Sequence, residues 1–163
     1  MGVCNMTNWL SKSEQDSWRA WLDASRLLSA ELNRELTESH NISLPDYEIL
    51  VQLSESSERR MRMSELADRT FSSRSRLSHQ IDRMEKAGWV IREACASDAR
   101  GYWAVLTDTG FAKIEAAAPE HVTGVRKHLV DQLSPAEFKK LGESCRSIVR
   151  HLDSQGERSF PPQ

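Results

Sequence analysis

The chain has 163 residues, 39% of them hydrophobic and 28% charged, with a formal net charge of −2. That length suits a single domain, 1–163, with its own core, and the composition is that of a globular rather than a disordered protein. The opening MGVCNMTNWLSKSEQD lacks an apolar h-region and no run approaches 18 apolar residues, so neither a secretory signal nor a membrane span is expected, and a cytoplasmic location is.

The first element announces itself by Ser11-x-x-Glu14, a capping-box start, followed by Trp18, Trp21, Leu22, Ser25, Leu28, Leu32 and Leu36 at helical spacing. This predicts a long helix over 13–38, broken at His40-Asn41. Ser43-x-x-Asp46 opens a second helix carrying Tyr47, Leu50, Val51 and Leu53, and the polar run ESSERR reads as a loop. Ser64 is expected to cap a short third helix ending near Arg69. Thr70-Phe71-Ser72-Ser73 then forms a turn, and a fourth helix runs from Arg74 to Ala87, stopped by Gly88.

Trp89-Val90-Ile91-Arg92 and Tyr102–Leu106 are aromatic and β-branched and flank a polar loop of hairpin length, which predicts two strands. Thr107 begins a long helix with Phe111, Ile114, Ala118, Val122, Val125 and Leu129 on one side, which Pro119 is expected to kink. Ser134-Pro135-Ala136-Glu137 starts a last helix, and its Phe138, Leu141, Cys145, Ile148 and Leu152 alternate steps of three and four, a seam suited to a partner helix. Residues 153–163 are expected to form a flexible tail.

The order of elements gives the fold class: mainly α, a winged helix-turn-helix over 43–106 with a two-stranded β-hairpin wing, set between long N- and C-terminal helices, 10–40 and 107–152. Charge follows the same division. Residues 59–100 hold ten Lys/Arg against six Asp/Glu, a local excess of four positive charges within a chain that is negative elsewhere. On the fourth helix Leu77, Ile81 and Met84 form a core stripe, leaving Arg76, His79, Gln80 and Arg83 outward and Ser73, Arg74 and Ser75 at the N-terminal end. Such a face suits the major groove of DNA, where Arg pairs with guanine, Gln with adenine, and a helix N-terminus with phosphate. Arg100, at the tip of the hairpin beside Gly101, fits the narrow minor groove. Asp98 is placed to turn the loop and aim Arg100.

The stretches DYEIL, MSELADRTFSSRSRLSHQIDRMEKAGWVIR and SDARGYWAVLTDTG resemble the MarR (multiple antibiotic resistance regulator) family of bacterial transcription factors. The similarity rests on Asp98, Arg100, Leu106, Thr107 and Gly110 following a helix that ends in Lys86-Ala87-Gly88, and it extends over residues 10–152. It implies a homodimer with interlocked terminal helices, a pseudo-palindromic double-stranded DNA operator, and a small-molecule effector pocket between the dimerisation and DNA-binding parts. By position, Ser75, Arg76, Ser78 and His79 match residues near bases and Arg100 the minor-groove wing residue. A repressor acting by occlusion is the expected mode.

For the effector, Trp18, Trp21, His40 and Tyr47 are expected near the junction, with Arg26 or Arg34 available to a carboxylate. Cys4, Cys95 and Cys145 are odd in number and lack CxxC spacing, which points to neither disulfides nor a zinc site. Cys4 and Cys95 stay open as exposed redox-sensitive thiols in an alternative, redox-sensing regulator of the same fold. The position at which the family's peroxide sensors carry a cysteine holds Trp18 here. The five histidines show no metal-ligand spacing, and there is no phosphate-cradling Gly-rich loop or G-x-S-x-G elbow. No enzyme, metal or cofactor is therefore expected, and the basic face argues against a winged helix used only for protein contacts.

Overall fold

The computed structural model describes residues 7–95 and 101–154, so Cys4, Asp98, Arg100 and residues 155–163 lie outside the described residues. The elements are α1 (Lys12–His40), α2 (Leu44–Glu55), a 3-10 turn (Ser57–Arg59), β1 (Arg60–Arg62), α3 (Met63–Arg69), α4 (Arg74–Lys86), β2 (Val90–Ala94), β3 (Tyr102–Leu106), α5 (Asp108–His128), a second 3-10 turn (Val130–Gln132) and α6 (Pro135–Ser154). None of these helices is long and apolar enough to cross a membrane.

Helix ends follow local chemistry. Ser11 accepts from the Glu14 N–H while the Glu14 carboxylate accepts from the Ser11 N–H at 2.7 Å, closing the capping box. Asn41, in the left-handed region at φ 49°, ends α1. Ser43, Ser73 and Thr107 cap α2, α4 and α5 in the same way, each hydroxyl accepting an N–H three residues on. The cap expected at Ser64 is not used: α3 begins at Met63 with Arg62 at its N-cap, because β1 carries an extended chain right up to that point.

That strand is the main departure from the sequence reading. The wing is not a two-stranded hairpin alone; β1 pairs antiparallel with β3, Arg60 opposite Val105 and Arg62 opposite Trp103, giving a sheet of order β1-β3-β2. Three residues are too few to show periodicity, yet Arg-Met-Arg does alternate: Met61 is buried, and Arg60 and Arg62 lie over the Trp103 ring at 5.1 and 5.2 Å.

The core sits in the winged part. Leu50 and Leu53 of α2, Leu66 of α3, Leu77 and Ile81 of α4, Val90 of β2 and Ala104 of β3 are fully enclosed, and Leu36 and Ala117 close it from α1 and α5. α5 runs through Pro119 as one element, packed along α1. Gly124 lets the two approach: a Cβ there would lie 2.4 Å from a Glu35 carboxylate oxygen and 3.1 Å from Leu32. Away from these contacts much of α1 and α6 is exposed. Trp18 and Trp21, expected in the apolar stripe of α1, stack on each other at 5.4 Å but remain half exposed, and Ile148 and Leu152 of α6 are 53% and 64% exposed.

Thr107 ties the end of α4 to the start of α5. The Thr107 hydroxyl donates to the Gly88 carbonyl at 2.7 Å and accepts from the Gly110 N–H at 3.0 Å, while the Thr107 N–H donates to the Trp89 carbonyl at 3.1 Å.

Candidate nucleic-acid interface

α4 has the composition of an exposed helix with one apolar stripe, and its burial sorts the candidate residues. Leu77, Gln80, Ile81 and Met84 are buried, an i, i+3, i+4, i+7 face. Gln80 therefore does not point outward as expected. It is 5% exposed, because the stripe is one residue wider than Leu77, Ile81 and Met84 alone define, and its side-chain oxygen finds no hydrogen-bond donor. Ser73, Arg74, Ser75, Arg76, His79 and Arg83 are exposed. Among the described residues no carboxylate lies against Arg74 or Arg76. Arg83 instead leans 3.3 Å from Asp46, which is 8% exposed at the start of α2, so part of its charge serves to hold α4 against α2.

Two concave surfaces flank the N-terminal half of α4. One, about 500 Å³, lies between the capped N-termini of α2 and α4 and is lined by Ser43, Pro45, Ser75, Arg76, His79 and Arg83. The other, about 560 Å³, lies toward the wing and is lined by Arg62, Arg74, Ser78, Arg92, Gly101 and Tyr102. The positive ends of two helix dipoles meet at the first, and the Arg62 and Arg74 guanidinium groups line the second beside the ion-paired Arg92, so both favour anionic oxygens. The ridge between them presents Ser75, Arg76 and His79.

Ser78 is not on that ridge. It is half-buried toward the wing, where its carbonyl and hydroxyl accept from Arg92 Nη2 at 2.9 and 3.3 Å. Arg92 also pairs with Asp82 at 2.7 Å and with Glu85, and its own N–H donates to Glu85 at 2.8 Å. This guanidinium, rooted on β2 and inserted along α4, fixes the angle between helix and wing. The sequence reading missed it. Its signal was Glu85 and Arg92 facing one another across the Gly88 turn in MEKAGWVIR, where Gly88 adopts φ 76°.

The residues expected to hold an effector separate into two places. Trp21 lines a cavity of about 580 Å³ with Leu28, Glu31, His128, Leu141 and Cys145. His40 lies at the other end of α1, its Nε2 2.8 Å from Glu120, and Tyr47 is buried against His121 at 4.5 Å between rings. About 28 Å of helix separates Trp21 from His40, so they do not share one pocket. Arg34 is already held by Glu31 and Glu38. Cys95 is buried, not exposed as expected, because its N–H closes the base of the wing on the Gly101 carbonyl at 2.9 Å; Cys145 is the exposed thiol.

Comparisons with known proteins agree with this architecture. A MarR family model matches residues 40–101. The structure of AbsC, a MarR family transcriptional regulator from Streptomyces coelicolor, superposes with a TM-score of 0.86 at 47% identity, covering 91% of this chain and 99% of that one. Sco3205, a MarR family transcriptional regulator from the same organism solved in complex with DNA, superposes with a TM-score of 0.86 at 44% identity, covering 88% of this chain and 94% of that one. The HTH-type transcriptional regulator PecS of Dickeya dadantii is 32% identical over 89 residues, which are 55% of this chain and about half (53%) of PecS.

Proposed function

The chain belongs to the MarR family of transcriptional regulators, and on that premise we propose that it binds double-stranded DNA as a homodimer and represses transcription by occupying a pseudo-palindromic operator. The observation that carries this reading is the exposed end of α4: Arg74 and Arg76, without carboxylate partners among the described residues, border two concave surfaces that both favour phosphate. Ser75, Arg76 and His79 read base edges in the major groove, with Ser73, Arg74 and Arg83 on the flanking backbone. Arg100, aimed by Asp98, reaches the minor groove. Two copies joined through the exposed apolar stripes of α1 and α6 present two such surfaces, with half-sites about one helical turn of DNA or a multiple apart. The protein acts in the cytoplasm as a regulator and not as an enzyme.

An effector fits the 580 Å³ cavity beside Trp21, whose size lies within the ~300–1,000 Å³ range of small-molecule sites. Burial of Cys95 favours a small-molecule signal over oxidation of that thiol. The test begins with sites selected from a random DNA pool. Affinity for the selected duplex falls with salt at a log-log slope of about −0.9 per phosphate neutralised. Arg76→Ala lowers it and relaxes preference at one base pair in each half-site, by about 1–3 kcal/mol per bidentate pair. A selection that returns no common sequence, or an Arg76→Ala protein that binds it as the parent does, overturns the reading.

A further inference from the structure

Helices α1 and α5 meet at a cluster that the DNA-facing surface does not use. Glu31 and Glu35 lie four residues apart on one face of α1, and His128 comes from the last turn of α5; one donor atom from each lies within 4.8 Å of the others, and all three residues are half-buried. From this geometry we propose that Glu31, Glu35 and His128 form a binding site for a divalent transition cation of the zinc class.

The donor set suits such an ion. His128 Nε2 lies 2.9 Å from Glu35 Oε1, a hydrogen-bond distance that need open only to about 3.4 Å for two tetrahedral donors bonded at ~2.1 Å. An imidazole with two carboxylates selects Zn²⁺, Co²⁺ or Ni²⁺ over Mg²⁺ and Ca²⁺, which prefer all-oxygen sites. Gly124 supplies the room: any side chain there would collide with the Glu35 carboxylate. Glu31, which also borders the cavity beside Trp21, leaves the far side of the ion open to water or to a ligand atom.

Charges around the cluster favour a cation. Glu31, Glu35 and Glu38 face Arg34 and Lys127, which leaves one negative charge unbalanced when His128 is neutral. Arg34 donates to both Glu31 carboxylate oxygens, at 2.6 and 3.0 Å. Arg34 is bound to Glu38 as well, so it keeps a partner when Glu31 turns to the metal. Lys127, 3.8 Å from Glu35 and two-thirds exposed, swings into solvent. An occupied site joins α1 to α5 by coordinate bonds, two from α1 and one from α5, with Glu35 and His128 93 residues apart in sequence. That separation is why histidine spacing along the chain gives no sign of it.

The test needs no DNA and is independent of the proposed operator binding. Titrating Co²⁺ into the metal-free full-length protein is expected to give visible d–d absorption that saturates at one ion per chain. Affinity is expected to fall by at least about tenfold in His128→Ala and in Glu31→Gln, and to be unchanged in His151→Ala. Glu31→Gln guards against misfolding, since it keeps the shape of a side chain on the exposed edge of the cluster; circular dichroism of each variant confirms its helices. Absence of saturable absorption, or binding by folded Glu31→Gln and His128→Ala equal to the parent, overturns the proposal.

Discussion

Replacing Arg92 by alanine removes the strut between the wing and α4. Lost are its ion pairs with Asp82 and Glu85 and two hydrogen bonds to Ser78, while the backbone bond from residue 92 to Glu85 remains. The Arg92 side chain is 20% exposed and its acidic partners 47% and 31%, so the contacts are neither free in water nor fully buried. Exposed pairs contribute under ~1 kcal/mol and charged hydrogen bonds ~1.5–3 kcal/mol, which places the loss near ~2 kcal/mol. For a chain of this size that lowers Tm by about 4–8 °C. Thermal unfolding followed by circular dichroism reads the stability, and fluorescence anisotropy on a labelled selected duplex and on a scrambled one reads the consequence for DNA. Affinity for the selected site is expected to fall by about tenfold, equivalent to about 1.4 kcal/mol, with a smaller change on scrambled DNA, because alignment of helix and wing matters only where both must fit. Arg92→Lys should fall between, since one ammonium cannot span both carboxylates and the Ser78 carbonyl. A Tm within about 1 °C of the parent together with unchanged specific binding would refute the role assigned to this guanidinium.

Gly110→Ala places a methyl group 2.1 Å from the Trp89 carbonyl oxygen, which is backbone and cannot rotate away; a loss of about 3 kcal/mol is expected, measured by chemical denaturation. Ile148→Glu combined with Leu152→Glu puts charge on the bare seam of α6 and should convert a dimer to a folded monomer in sedimentation, with helix content retained. Burial pushes the His121 imidazole below its ordinary value, with the charge of Glu35 acting weakly the other way. The unfolded chain therefore takes up this proton at a higher pH than the folded one, and stability falls as pH drops from about 7 toward 5. His121→Phe, beside Tyr47, should flatten that part of the profile; equal slopes for parent and variant in urea unfolding at the two pH values would contradict the assignment.

The sequence declares most of the helices because their ends carry side-chain caps that act over three residues: Ser11, Ser43, Ser73 and Thr107 are all used as their spacing suggests. It also declares the exposed basic end of α4, since local charge does not depend on tertiary contacts. What it conceals is set by partners distant in the chain. β1 exists only because β3 is there to pair with it, and Gln80 is buried because α2 and the turn after α3 close over it. Arg92 reads as a strand residue until the Gly88 turn folds it onto α4. For Trp18 and Trp21 the helical spacing is right, but it cannot say whether the surface that covers them belongs to the same chain.

Thr107 gives the molecule a mechanical property. Its single hydroxyl oxygen belongs at once to the stop of α4, through Gly88, and to the start of α5, through Gly110. The two helices therefore share one oxygen as a common anchor. The C-terminal end of α4 is thus tied to the start of α5, while Arg74 and Arg76 stand at its other end. Over the ~20 Å length of α4, a turn of about 5° at the anchor moves those arginines by about 1.7 Å, comparable to the difference between a hydrogen bond and none.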